Sequence, residues 1–160
     1  MVAPVAPLVL STGDLVSDFS LPDQNGRQVS LDSLLATGPV VLFFYPKAMT
    51  AGCTKESCHF RDLAGEFAEV GAQRIGISAD KPEKQADFDA KHGLGYPLLS
   101  DPDRAVARMF GVKRPGPLMN KRATFVIGTD KRIVAAISSE VNMDVHADQA
   151  LDALRQTAAR

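Results

Sequence analysis

Apolar and polar positions follow two kinds of pattern along this chain. Short apolar runs bounded by turn-forming residues predict β-strands, and apolar residues at every third or fourth position predict helices. The run PVVLFFYP over 39–46 is apolar at nearly every position, which is typical of a strand buried on both faces of a parallel sheet. We predict further strands over 73–80, 96–101, 123–128 and 132–138, the last two forming a hairpin.

Helical patterns alternate with these strands. We predict helices over 53–71, 80–93 and 146–160, and one that begins at an Asp101 cap with Pro102 in its first turn. Asp80 is the expected cap of the second helix and Gly93 its stop. The last helix is amphipathic, and one of its faces contains Ala147, Ala150, Leu151, Leu154 and Ala158.

The segment before the first long strand has a different character. A turn at Asp23-Gln24-Asn25-Gly26 between two short extended pieces predicts an N-terminal β-hairpin. We interpret residues 1–16 as an extended arm or edge strand, because their apolar run lacks the preceding basic residues of a signal peptide. The element order therefore predicts one α/β domain over 1–160, with a mixed sheet and helices on both faces.

Composition narrows the function classes. The net charge is −1, with 18 basic and 19 acidic side chains and no basic stripe, so we expect no nucleic-acid partner. No apolar run approaches the roughly 20 residues that a membrane span needs. The chain has only 2 cysteines, too few for a disulfide framework. We therefore expect a protein of the cytoplasm, where reduced thiols are available for chemistry.

Both cysteines, Cys53 and Cys58, lie in the stretch FYPKAMTAGCTKESCHFRD. Their spacing differs from a redox CxxC pair, and the second Cys/His pair that a zinc site needs is missing. On a helix, Cys53 lies on the apolar stripe with Phe60, Ala64 and Phe67, at its N-terminal end. Cys58 falls about 140° away, which predicts a place on the solvated face. A cysteine following the first buried strand, in this element order, is typical of the thioredoxin fold.

The position of Cys53 favours reactivity. A thiol in the first turn of a helix meets unpaired N–H groups and the positive end of the macrodipole, which favour the thiolate. The alternative is that both cysteines are small core residues, which suits Cys58 poorly. A disulfide between them does not fit a regular helix, because five residues rise about 7.5 Å and the side chains diverge. The pair therefore never bonds, or the start of the helix unwinds.

Three residues before Cys53 are also candidates. Pro46 ends the buried strand and has no N–H, and Gly52 allows close approach of a ligand to the backbone. Thr50 has two possible roles that do not exclude each other. Its oxygen could cap the helix by accepting from the Cys53 N–H, or its hydroxyl could take part in catalysis.

The motif Pro46-x-x-x-Thr50-x-x-Cys53 resembles the active-site motif of the peroxiredoxins. The longer run GCTKESCHFRD is similar to the branch called bacterioferritin comigratory protein or peroxiredoxin Q. Further similar stretches are LVSDFSLPDQNGRQVSL, YPLLSDPDRAVARMFGV and KRATFVI, although the family's usual Ala-Pro-Asp-Phe is Val-Ser-Asp-Phe at 16–19. The resemblance implies a thioredoxin-like fold and a thiol peroxidase acting on hydrogen peroxide and organic hydroperoxides.

The resemblance also implies roles for individual residues. Cys53 would be the peroxidatic cysteine and become a sulfenic acid, and Cys58 would resolve it as an intramolecular disulfide that thioredoxin or a similar reductant reopens. Thr50 and Gly52 would bind the peroxide, and Pro46 would shield the intermediate. Arg122 would stabilise the thiolate and polarise the peroxide, although alone it would be interpreted as a surface arginine. Glu56 is a candidate for orienting it.

The resemblance and the residues leave other properties as expectations. No histidine has the spacing of a metal pair, so we expect neither a metal nor an organic cofactor. We expect a monomer or weak dimer. Two rival hypotheses are a thioredoxin-like dithiol carrier, which the cysteine spacing disfavours, and a binding or holdase protein with incidental thiols. Consumption of peroxide by the thiols would distinguish a peroxidase from a holdase.

Overall fold

The structure, a computed structural model, describes residues 9–116 and 118–158, with the side chain of Ala158 left out. The first eight residues of the predicted N-terminal arm, and the predicted place of the Ala158 side chain, therefore lie outside the described residues. Within the arm's described part, Leu15 forms an isolated antiparallel bridge with Arg132. This bridge fits the expected edge position.

The helices and strands follow the predicted order, with one addition and with one predicted helix divided in two. In chain order they are β1 (Ser20–Pro22), β2 (Gln28–Ser30), α1 (Leu31–Leu35), β3 (Val40–Phe44), α2 (Ala51–Asp62), α3 (Ala64–Glu69), β4 (Gln73–Ser78), α4 (Pro82–His92), β5 (Leu98–Ser100), α5 (Ala105–Phe110), β6 (Ala123–Ile127), β7 (Ile133–Ser138) and α6 (Asp144–Ala158). The addition is α1, which is too short to show helical periodicity. Its start is capped by the Ser30 hydroxyl, which accepts from the Ser33 N–H.

A five-stranded mixed sheet forms the centre of the fold, in the order β5-β4-β3-β6-β7. The central strand β3 pairs in parallel with β4 and antiparallel with β6. All five residues of β3 are buried, as the apolar run predicts. The hairpin of β1 and β2 forms a separate two-stranded sheet. The predicted thioredoxin-like architecture with an N-terminal hairpin is confirmed.

Alternate side chains of β3 enter two different cores. Phe44 faces the core closed by α1 and α5, and Phe43 faces the core closed by α2, α3, α4 and α6. In the second core the rings of Phe43 and Phe60 stack with centroids 4.1 Å apart. Burying such a side chain contributes about 2–3 kcal/mol. This packing holds α2, and with it Cys53, against the sheet.

The helix predicted over 53–71 is wrong in its bounds. It begins earlier, at Ala51, and is interrupted at Leu63, which separates α2 from α3. The Arg74 side chain donates to the Phe60 carbonyl at 2.9 Å and reaches the Arg61 carbonyl at 3.4 Å. A guanidinium that takes the last carbonyls of a helix ends its regular ladder. Beyond the interruption Ala64 is exposed and does not share the predicted stripe, whereas Phe67 is buried as predicted.

The predicted helix caps need two corrections. Lys81, not Asp80, is the N-cap of α4, and the Asp80 carboxylate bonds elsewhere. Helix α5 begins at Ala105, so Pro102 lies before it and not in its first turn. Asp101 still serves the start of α5, because its carboxylate accepts from two backbone N–H groups of the first turn. The predicted stop of α4 at Gly93 is confirmed by its left-handed conformation, φ 56°.

Candidate active site

The loop from β3 to α2 leaves the carboxyl end of the central strand. The Tyr45 N–H donates to the Ile77 carbonyl at 3.1 Å and continues the parallel pairing one residue beyond β3. Pro46, which is half-buried, then ends this pairing because it has no N–H to donate. Met49 adopts a left-handed conformation with φ 71°, which reverses the chain just before the Thr50 N-cap. The loop therefore enters α2 through a conformation that non-glycine residues seldom adopt.

Thr50 is the N-cap residue of α2, but its side chain does not cap the helix. Its Oγ1 donates to the Lys47 carbonyl at 2.8 Å, so the predicted bond from the Cys53 N–H is wrong. The backbone carbonyl of Thr50 accepts the first helical bond, from Thr54 N–H at 2.9 Å. Because the hydroxyl proton points to Lys47, the exposed oxygen presents its lone pairs as acceptors.

Cys53 is the third residue of α2 and its side chain is completely buried. It therefore lies in the first turn, as predicted, where N–H groups without intrahelical partners create a positive potential. A Cβ atom added to the preceding residue, Gly52, would lie 3.3 Å from Arg122 Nη2 and 3.6 Å from Met143 Sδ. The absent side chain at Gly52 leaves room for the guanidinium to approach the sulfur.

Arg122 reaches Cys53 from the strand next to β3. It directly precedes β6, whose first residue, Ala123, pairs with Phe44. One arm of its guanidinium, Nη2, donates to Cys53 Sγ at 3.3 Å, and the other, Nη1, donates to Glu56 Oε1 at 2.8 Å. Arg122 is only 6% exposed, so its interpretation as a surface arginine is wrong.

Glu56 lies one helical turn beyond Cys53 and is completely buried. Burial raises the pKa of this carboxyl to about 8, although the neighbouring Arg122 lowers it. Burial also disfavours the charged Arg122, but Glu56 and Cys53 outweigh this effect and raise the Arg122 pKa. The Arg122 guanidinium is thus shared between Cys53 and Glu56, and burial favours the protonated form of the carboxyl.

His146 extends this buried group, and the sequence interpretation missed it. Its Nε2 donates to the Ser139 carbonyl, and Nδ1 accepts from Thr124 Oγ1, each at 2.8 Å. Burial lowers the pKa of His146, which fits a neutral ring. Its Nδ1 lies 3.6 Å from Glu56 Oε2, an oxygen without a hydrogen-bond partner among the described residues. The signal was present in the pattern, because His146 and Ala150 lie four positions apart on the buried face of α6.

Cys58 lies farther along α2 and is half-buried. It packs at the edge of the apolar core, so its prediction as a residue of the solvated face is only partly correct. Helix α2 runs without interruption from Cys53 through Cys58, and both are free thiols. The structure is therefore the state in which a regular helix keeps the two sulfurs apart.

The predicted site residues fall into three groups in the structure. Gly52, Cys53 and Arg122 meet where the start of α2 faces the start of β6, Pro46 and Thr50 lie in the loop before α2, and Cys58 lies more than a helical turn away. Within residues 9–116 and 118–158, no group of three or more His, Cys, Asp or Glu side chains could hold a metal ion. In the same part of the chain, no helix is long and apolar enough to cross a membrane.

Comparison with known proteins agrees with this geometry. The AhpC/TSA family matches residues 12–136. The chain belongs to this family. A Mycobacterium tuberculosis protein whose name describes it as a peroxiredoxin is 60% identical over 149 residues. The match covers 91% of this chain and 97% of that protein. The Escherichia coli peroxiredoxin Bcp is 39% identical over 155 residues, covering 93% of this chain and 98% of its own.

Solved peroxiredoxin structures show the same architecture. Peroxidoxin BcpB from Mycobacterium tuberculosis has a TM-score of 0.90 and 58% identity, covering 92% of this chain and 97% of that one. Peroxiredoxin Q from Xanthomonas campestris has a TM-score of 0.81 and 34% identity, covering 88% of this chain and 91% of that one. The resemblance to the Bcp and peroxiredoxin Q branch is therefore confirmed, and this peroxiredoxin is a thiol-dependent peroxidase.

Proposed function

We propose that this peroxiredoxin reduces hydrogen peroxide and organic hydroperoxides through Cys53. The thiolate attacks the peroxide O–O bond, which gives a Cys53 sulfenic acid and, after protonation of the leaving oxygen, water or an alcohol. The observation that carries the proposal is the 3.3 Å contact between Arg122 Nη2 and Cys53 Sγ. A buried guanidinium at this distance favours the charged sulfur and the negative charge that develops on the peroxide oxygens.

The loop before α2 provides the remaining contacts of the reaction. The Thr50 oxygen, whose own proton is held by Lys47, accepts a hydrogen bond from the peroxide O–H. Gly52 leaves space beside the guanidinium for the two peroxide oxygens. Pro46 brings an apolar ring and no N–H donor to the loop, which keeps water from the intermediate.

Cys58 then resolves the sulfenic acid. Its thiol condenses with the Cys53 sulfenic acid, so that an S–S bond forms and water is released. The first turns of α2 must unwind for this step, because a regular helix separates the two positions by about 7.5 Å along its axis. Thioredoxin or a similar dithiol reductant reduces the disulfide and restores both thiols. The cycle needs a reducing compartment, so we propose that the protein acts in the cytoplasm. We propose that it is a monomer or weak dimer.

Matched cysteine variants test this scheme. In Cys58→Ser, one equivalent of peroxide should convert Cys53 to a sulfenic acid that a selective probe labels, while turnover with thioredoxin falls sharply. In Cys53→Ser, both labelling and turnover should be lost, since Cys58 lies outside the first turn of α2. Labelling is read by mass spectrometry of the cysteine peptide. Turnover retained by Cys53→Ser would remove Cys53 from the peroxidatic role, and full turnover of Cys58→Ser would remove Cys58 from resolution.

A further inference from the structure

The carboxylate of Asp80 bonds to the active-site loop and not to the helix that follows it. Asp80 lies two residues beyond the end of β4, next to the N-cap of α4. Its Oδ2 accepts from the Ala48 N–H at 2.7 Å and from Ser78 Oγ at 2.7 Å. Both distances lie at the short end of the range for hydrogen bonds in proteins.

Ser78 belongs to a larger buried network that fixes the position of this carboxylate. The Gln85 amide donates to Ser78 Oγ at 3.0 Å and to the Leu99 carbonyl at 2.9 Å. The Tyr45 hydroxyl donates to the Gln85 side-chain oxygen. The network thus connects β4, β5 and α4 with Tyr45, the residue that follows β3. Asp80 connects this network to the active-site loop by accepting the N–H of Ala48.

Ala48 lies two residues before Thr50, and the intervening conformation is costly. Met49 has φ 71°, and a non-glycine residue in this region costs roughly 1–2 kcal/mol unless its surroundings hold it there. On one side, the Ala48 N–H is held by Asp80. On the other, the Thr50 hydroxyl holds the Lys47 carbonyl at 2.8 Å. Loss of the Asp80 bond would let the turn relax and move the Thr50 oxygen relative to Cys53.

We propose that Asp80 is a positioning residue for peroxide reduction, which keeps the Met49 turn in place and thereby sets the Thr50 oxygen against the Cys53 sulfur. The inference rests on the proposed roles of Cys53 and Thr50. It separates two tasks within the site. Arg122 governs the charge of the sulfur, and Asp80 governs where the peroxide is held.

Three variants test the proposal: Asp80→Ala, Asp80→Asn and Ser78→Ala. Asp14→Ala is the matched control. Asp14 Oδ2 likewise accepts one backbone N–H and one serine hydroxyl, both from Ser11, but Asp14 lies near the β6–β7 turn at the far end of the sheet. The second-order rate of Cys53 oxidation by hydrogen peroxide is measured in each. Asp80→Ala should react about 10- to 100-fold more slowly, as expected for a displacement of about 1 Å. Asp80→Asn retains an acceptor for the Ala48 N–H and should stay within about three-fold of the parent protein.

A second readout separates positioning from a general structural effect. The ultraviolet titration of the Cys53 thiolate should be the same in Asp80→Ala as in the parent, because Arg122 remains in place. Asp14→Ala should keep the parent rate even where denaturant titration shows a comparable loss of stability. If Asp80→Ala does not fold, Ser78→Ala decides, because it removes the hydroxyl that orients the carboxylate; we expect a loss of about three-fold or more.

The outcomes are distinct from a failure of the proposed function. An unchanged rate in Asp80→Ala, or in Ser78→Ala where that variant decides, overturns the inference. A shifted thiolate titration in Asp80→Ala, or an equal loss of rate in Asp80→Asn, would assign Asp80 to an electrostatic role and also overturns it. Absence of Cys53 oxidation in the parent protein would instead reject the proposed function itself.

Discussion

Replacing Arg122 with alanine tests the contact on which the proposed chemistry depends. The change removes the donor to Cys53 Sγ and the donor to Glu56 Oε1 at the same time. Loss of one preorganised donor to a developing negative charge typically lowers a rate about 10²- to 10³-fold. We therefore expect the rate of Cys53 oxidation by peroxide to fall by this factor, and the thiolate titration to move to higher pH.

The loss of stability in Arg122→Ala depends on Glu56, the partner that remains buried. Removing one member of a buried ion pair costs about 3–5 kcal/mol where the other remains charged. Burial already raises the pKa of Glu56 to about 8, so without Arg122 this carboxyl stays protonated at neutral pH and much of the cost is avoided. We expect Arg122→Ala to lower the free energy of unfolding more at pH 9 than at pH 6, by the same linkage. Above a pKa of about 8 the Glu56 carboxyl of the parent protein is ionised, and its charge then depends on Arg122.

The assay must use mass rather than fluorescence, because the chain has no tryptophan. In the proposed scheme a Cys58→Ser background stops the reaction at the sulfenic acid, and unreacted Cys53 is alkylated and quantified by mass at each time point. Arg132→Ala, an exposed arginine whose side chain contacts Gly13 O, is the control and should keep the parent rate. Arg122→Lys should fall in between, because an ammonium lacks the fork that reaches sulfur and carboxylate together. A rate for Arg122→Ala within about three-fold of the parent would refute the reasoning.

Three further predictions concern the helix and its buried carboxyl. Burial raises the pKa of Glu56 from 4.5 to about 8, so the free energy of unfolding should fall by a few kcal/mol as the pH rises between these values. Denaturant titration at several pH values should show a smaller fall in Glu56→Gln. An identical fall in the variant would contradict a raised Glu56 pKa. Phe60→Ala removes the ring stacked on Phe43 and should cost about 3–5 kcal/mol in the same titration, where a loss below about 1 kcal/mol would be inconsistent with the packing. On oxidation, amide exchange should become faster over 53–60 while β3 stays protected, and equal protection of α2 in both states, with the disulfide confirmed by mass, would count against unwinding.

Local patterns predicted more of the fold than of the site. The apolar run of β3 and the stripe of Cys53, Phe60 and Phe67 could be read from periodicity, because burial repeats with the geometry of each element. The interruption at Leu63 could not, since it depends on the guanidinium of Arg74 from the next strand. Local rules describe a helix by its own residues, and here a distant side chain competes for its carbonyls.

The site shows the same division. The first-turn position of Cys53 is a local property, and it was predicted correctly. The Arg122–Glu56 pair joins residues 66 positions apart, and only the resemblance to a family indicated it. Asp80 was predicted wrongly as a helix cap, because an acidic residue before a helix is a common cap. Its partner, the Ala48 N–H, lies far away in sequence and leaves no local signal.

The interruption at Leu63 has a consequence for the proposed unwinding of α2. Helix unwinding is cooperative, so disruption at one end of a long helix tends to spread along it. Here α2 ends at Asp62, and α3 carries its own anchor, the buried Phe67. Rearrangement around the two cysteines can therefore stop before α3, which keeps Phe67 in the core. If the proposed disulfide forms, this break acts as a boundary that keeps the opening within the twelve residues of α2.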